Sequence, residues 1–117
     1  MRKIVYIAGP LTKGNRITNT MTAMEVGMIL LKCGYSPIIP HLASFIPGNE
    51  LIPYDIWMES CYSLVSISKA LLRLSGESKG ADLKEKLARK LGIPVYYELN
   101  QLLREISSDD GNKTWDL

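Results

Sequence analysis

The chain opens on a continuous apolar run, KIVYIA at 3–8, rich in β-branched and aromatic residues and ended by Gly9-Pro10. An unbroken run of this kind predicts a strand covered on both faces, as in a parallel sheet. After a polar loop from Leu11 to Thr18, a helical period over 19–33 predicts a helix that stops at Gly34, where a left-handed cap is available. Its apolar residues form two faces. Ala23, Val26, Gly27 and Leu30 make one, and Met21, Met24, Met28 and Leu31 make another, well over 90° away at about 100° per residue. One face can cover a sheet; the second needs another partner.

Tyr35 to Pro40 (YSPIIP) reads as a short second strand that delivers His41-Leu42 into a long loop containing Pro47, Gly48 and Pro53. Loops of that length are often functional. Tyr54 to about Ile67 is a predicted helix with Trp57, Cys61, Leu64 and Val65 along its buried stripe. Ala70–Leu74 is a third strand, Ser75–Lys79 a polar turn, and Gly80 to about Leu91 a helix capped by Gly92. Pro94–Tyr97 is a fourth strand. A final helix, about Leu99 to Ile106, precedes a polar tail, Ser107–Leu117, expected to be mobile unless docked. Strands alternating with helices predict an α/β fold: one doubly wound, flavodoxin/Rossmann-like three-layer domain over 1–106, with a parallel sheet of about four or five strands. Ligands bind such sheets beyond the carboxyl ends of the strands, which directs attention to the loops Gly9–Thr18, His41–Pro53 and Ser75–Lys79.

Composition narrows the function classes. At 117 residues with 46% hydrophobic and 22% charged positions, the chain can build a single core without disulfides or metal. No apolar run approaches the roughly 18 residues of a membrane span, and MRKIVYIAG is too short for a signal sequence. A membrane partner is not expected. Fourteen basic residues against 12 acidic ones lack the footprint of a nucleic-acid binder. Cys33 and Cys61 lack zinc-site spacing and read as reduced thiols, so the expected compartment is cytoplasmic, with no cofactor and no metal.

The segment Ser75-Gly76-Glu77-Ser78-Lys79-Gly80-Ala81 joins a strand end to a helix start, where unpaired N–H groups and the helix dipole favour an anion. Ser78 has two readings here, a helix N-cap or a phosphate ligand.

Taken in order, YIAGPLT, an N-x-x-x-A helix at Asn19 and Ala23, GYSPIIPHL at 34–42, Tyr54 to Trp57, ALLRLSGES at 70–78, GAD at 80–82 and LGIPV at 91–95 resemble the nucleoside 2-deoxyribosyltransferase-like family, especially its small YIAGP-type members. The resemblance covers residues 4–97. It implies N-glycosidic bond cleavage in deoxynucleosides or nucleoside monophosphates: a glutamate attacks the anomeric carbon, an aspartate assists departure of the base, and a first-strand tyrosine sits near the nucleophile. The physics is that of a glycosidase, which needs two carboxylates in different protonation roles. The tyrosine falls on Tyr6. The nucleophile position falls on Lys84, the helix acid on Cys61, and the aspartate at the head of strand three on Lys69. A lysine ammonium cannot act as a carboxylate nucleophile, and its charge opposes a developing oxocarbenium ion.

Lys84 shares a helix face with Ala81 and Ala88, which aims it either at the cleft, where it suits a phosphate, or at solvent as a snorkelling lysine. Asp82 and Glu85 have i+4 partners in Lys86 and Arg89 and read as a solvated salt-bridged face. Glu77 in the turn and Glu59 before Cys61 are the candidate displaced catalytic acids, beside Tyr6. Cys61 reads as inert core unless a cation activates it. The expected substrate-binding residues are Gly9, Pro10, Asn19, His41, Ser78, Gly80 and Lys84, with His41 alternatively only ending its strand. The Met21, Met24, Met28, Leu31 stripe predicts homo-oligomerisation. The leading expectation is a nucleoside or nucleoside monophosphate binder; the alternatives are an active N-glycosidase or deoxyribosyltransferase using a displaced acid, and a structural or partner-binding homo-oligomer.

Overall fold

Four of the five residues of β1 (Ile4–Ala8) are sealed from solvent in the structure, a computed structural model that describes residues 1–108. The reason is position. β1 lies between β2 (Ser36–Ile38) and β3 (Ala70–Arg73), with β4 (Val95–Tyr96) beyond β3, giving the order β2-β1-β3-β4 with every pairing parallel. Alternation along the strands then splits the core into two layers. Val5, Ile7, Ala70 and Leu72 meet Ala23 and Leu30 of α1 (Arg16–Lys32) and Leu102 of α4 (Leu99–Glu105). Tyr6, Ala8 and Leu71 face the other way, onto Val65 of α2 (Tyr54–Ser66) and Ala81 and Ala88 of α3 (Lys79–Lys90). The fold is therefore a three-layer α/β domain. Each fully buried large apolar side chain contributes about 1.5–3 kcal/mol, so β1 is its energetic centre.

Local chemistry moves several expected boundaries. α1 starts at Arg16 rather than residue 19, because the Asn15 side chain accepts the Thr18 N–H at 3.0 Å and caps the helix. β2 is shorter than YSPIIP, since Pro40 starts a 3-10 turn, Pro40–Phe45, followed by another at Asn49–Leu51. The expected long loop is thus partly ordered. On α2 the buried stripe runs through Met58, Cys61 and Val65, while Leu64 is turned outward, so the stripe proposed from spacing was rotated. The two faces of α1 are as expected: Ala23, Gly27 and Leu30 are buried and Met21, Met24 and Met28 exposed. Gly27 gives Ile39 room there, since a Cβ would stand 2.4 Å from Ile39 Cδ1 and push that side chain aside. Residues 109–117, most of the polar tail, lie outside the described residues.

The connection from β1 through α1 leads to one side of β1, whereas β3 lies on the other. A switch point of this kind opens a crevice above the carboxyl ends of β1 and β3, between the loops that follow them.

Candidate functional site

Two glycines let those loops close together. A Cβ on Gly9 would stand 2.9 Å from Leu74 Cβ, and Gly76, at φ +114°, lies where a Cβ would meet Pro10 Cγ at 2.9 Å. Arg73 fixes the second loop from beneath. Its buried guanidinium donates to the carbonyls of Leu74 and Gly76, the latter at 3.0 Å, and to Asp82 Oδ1 at 2.9 Å. The pairing expected between Asp82 and Lys86 is thereby corrected, because the buried arginine reaches Asp82 first. Glu85 does meet Arg89, at 3.3 Å, and also accepts from the Tyr97 hydroxyl at 2.7 Å.

Above the strand ends lies a pocket of about 410 Å³. Its walls come from the β1 loop, the 3-10 turns, α2 and the start of α3. Gly9, Pro10, His41, Ser78, Gly80 and Lys84 all line it. Lys13, Arg16, Lys79 and Lys84 bring four cationic side chains, against the single carboxylate of Glu77. Glu77 stands at the mouth, with its side chain 82% exposed and 3.9 Å from Lys13 Nζ. Trp57 forms part of the α2 wall and is held by its indole N–H, which donates to Asn49 O at 3.1 Å.

At and beneath the floor lies an unusual group of polar atoms. Tyr6 is fully buried, and no properly formed hydrogen bond reaches its hydroxyl. Burial, and secondarily the neighbouring Cys61 thiol, raise its pKa far above the ordinary phenol value. Sulfur is a weak hydrogen-bonding partner, so this contact leaves the phenol unsatisfied. Lys84 Nζ sits over the Tyr6 ring, 5.6 Å from its centroid. Burial lowers the Lys84 pKa, and contact with Cys61 pulls the other way. His41 is 3% exposed and its Nε2 lies 3.1 Å from Pro10 O. A carbonyl only accepts, so Nε2 carries the hydrogen. Burial, opposed by that bond, lowers the His41 pKa and keeps the ring neutral, which leaves Nδ1 as a buried acceptor without a partner.

Ser78 fulfils the capping reading and stands where the other would need it. Its hydroxyl accepts the Ala81 N–H at 3.1 Å, capping α3, and the residue lines the pocket. Gly80 leaves the first turn of α3 open, with Tyr54 Oη the nearest atom to a Cβ placed there, at 3.4 Å. Four expected residues do not line the pocket: Tyr6 is sealed beneath it, and Asn19, Glu59 and Lys69 stand away from it. Asn19 donates its amide to Leu11 O and Lys13 O, at 3.0 and 2.8 Å, and so braces the β1 loop. Glu59 is exposed on α2 and lies off the pocket wall. Lys69 precedes β3, at the opposite end of the sheet from the pocket, where its N–H donates to Ile4 O at 2.8 Å. Of Lys84, Cys61 and Lys69, only the first two meet at the pocket. Arg73, Trp57 and the rim cations Lys13 and Arg16 were missed by sequence reasoning. The arginine inside the ALLRL strand was the available signal, since a buried charge requires partners. Among the described residues no cluster of His, Cys, Asp or Glu could hold a metal ion, and no helix is long and apolar enough to cross a membrane.

A parallel three-layer α/β domain with a cation-rimmed pocket at its switch point is the class that fold and site define. The chain belongs to the family described as a domain of unknown function, DUF4406, whose profile matches residues 3–97. No curated protein and no solved structure matches it.

Proposed function

We propose that the pocket binds a nucleoside monophosphate, with the phosphate at the first turn of α3 and the base toward Trp57, and that binding rather than glycosidic cleavage is its role. The observation that carries this reading is Lys84. It lines the pocket at the position to which the resemblance would assign a nucleophilic carboxylate, and with Lys13, Arg16 and Lys79 it favours an anion over an oxocarbenium ion. The volume of about 410 Å³ falls within the range of small-molecule sites. A thermal melt tests the proposal. A ligand at about tenfold its Kd adds about 1.4 kcal/mol, or about 5 °C for a chain of this length. Nucleoside monophosphates are expected to raise Tm by that amount and bare nucleosides by less. Equal shifts, or none at millimolar ligand, contradict it. Release of free base from the same incubations would favour the cleavage alternative, with Glu77 as the carboxylate within reach.

The proposal extends to self-association through α1. Met21, Met24 and Met28 are 43–55% exposed in one stripe, an adaptable apolar surface that a second copy can cover. Sizing chromatography of Met24→Glu tests it: a fall in mass is expected, and an unchanged mass contradicts the seam.

A further inference from the structure

Lys84 differs in kind from the other lysines of the site. Lys13 and Lys79 are exposed at the mouth, whereas Lys84 is drawn inward over the Tyr6 ring. The titratable groups facing it are Cys61 from α2, Tyr6 from β1 and His41 from the turn after β2; Lys13, Arg16, Lys79 and Glu77 stand further out. None of the inner three is a carboxylate, so burial, opposed by Cys61, eases loss of the proton from the Lys84 ammonium that attracts the anion. Desolvation of this sort produces a nucleophilic amine. Lys84 also lies one turn beyond Gly80, about 6 Å along the helix axis, and its side chain leans back toward the helix start. An anion at the first turn of α3 would thus sit a few bonds' length from the amine. A second polar feature adjoins the pocket: His41, 3% exposed, lines it and keeps its buried Nδ1 without a partner.

We propose that Lys84 is a carbonyl-trapping residue: the pocket takes a small phosphorylated aldehyde, and Lys84 Nζ condenses with its carbonyl carbon to form an imine while the phosphate rests at the start of α3. The nitrogen lone pair attacks the carbonyl carbon and the π pair moves to oxygen. The resulting carbinolamine then loses that oxygen. Both C–O bonds of the carbonyl break, C=N replaces them, and the two hydrogens of the neutral amine leave with the oxygen as one water. No electron acceptor or donor is required. The inference shares the anion-attracting rim with the nucleotide reading but not its ligand.

Pyridoxal 5′-phosphate is a suitable probe, with pyridoxal as the phosphate-free arm. The full chain is incubated with one equivalent of either, reduced with borohydride, and mapped by peptide mass spectrometry. The expected result is one dominant adduct, on Lys84, at least about tenfold above any other lysine and weaker with pyridoxal. Labelling shared among Lys13, Lys79, Lys86 and the remaining lysines, with no excess on Lys84, overturns the proposal. Lys84→Arg keeps the charge and cannot form the imine, so the dominant adduct must vanish while minor labelling persists; an unchanged adduct pattern also overturns it. The same variant separates the two ideas. A nucleoside monophosphate that still raises the melt of Lys84→Arg supports nucleotide binding whatever the labelling result.

Discussion

Gly9→Ala probes the close approach on which the pocket depends. The backbone of residue 9 lies in a region that alanine can adopt, so the substitution restricts the unfolded chain and by that route stabilises by about 0.4–1 kcal/mol. Against this stands the added methyl, 2.9 Å from Leu74 Cβ and 3.3 Å from Leu74 Cδ1. The nearer atom is fixed to the backbone, so no rotamer of Leu74 relieves it. Either the end of β1 or the loop after β3 must shift, and such overpacking costs about 1–3 kcal/mol. The clash outweighs the entropic gain, for a net loss of about 1–2 kcal/mol. For a chain of this length that is a fall in Tm of about 4–8 °C, read by circular dichroism. Leu74→Gly removes the obstructing Cβ, so Gly9→Ala made in that background should cost at least about 1 kcal/mol less, a coupling that a double-mutant cycle isolates. A variant that melts within about 1 °C of the wild type, or costs the same in both backgrounds, refutes the packing argument.

Other substitutions read other parts of the site. Ser78→Ala removes the α3 cap and should cost about 1 kcal/mol, whereas Ser78→Gly should cost only a few tenths; equal losses in urea titrations would contradict the capping role. Arg73→Met leaves two loop carbonyls and Asp82 without their donor, for an expected loss of about 2–3 kcal/mol; a loss below about 0.5 kcal/mol would show that the guanidinium does not hold the loop. Burial lowers the Lys84 pKa, so just below the ordinary lysine value of 10.5 the unfolded chain binds a proton that the folded chain releases. Stability therefore rises with pH through that window, and Lys84→Met should be more stable than the wild type at neutral pH and lack this rise; parallel pH profiles would contradict it. His41 is likewise held neutral, so as pH falls below 6.5 the unfolded chain gains a proton that the folded chain refuses. The wild type should lose more stability than His41→Asn on acidification from about pH 7 to about pH 5, measured by denaturant midpoints.

The layers of this fold were legible because its strands carry their own punctuation. KIVYIA stops at Gly9-Pro10, ALLRL at Ser75-Gly76, and the helix before Gly34 shows two apolar faces that the structure assigns to core and solvent. The errors arose where a local side-chain contact competes with periodicity. Asn15 caps α1 earlier than its apolar pattern begins, and Pro40 turns the end of an apparent strand into a 3-10 turn. The site was half legible. Gly9, Ser78 and Gly80 follow from strand ends and a helix start and Lys84 from the resemblance, whereas Asn19 and Lys69 lie off the pocket because sequence order does not say which end of the sheet, or which carbonyl, a polar side chain meets. Arg73 shows the converse: its importance comes from three acceptors that only tertiary folding collects.

The central claim is that an anion-bearing nucleoside occupies the pocket at the start of α3. A crystal structure of the protein soaked with a nucleoside monophosphate tests it most directly. The account predicts the phosphate against the first-turn N–H groups around Gly80 and the base against Trp57, with Lys84 inside the same pocket. A pocket that stays empty at millimolar ligand, or a nucleotide bound elsewhere on the surface, would contradict it.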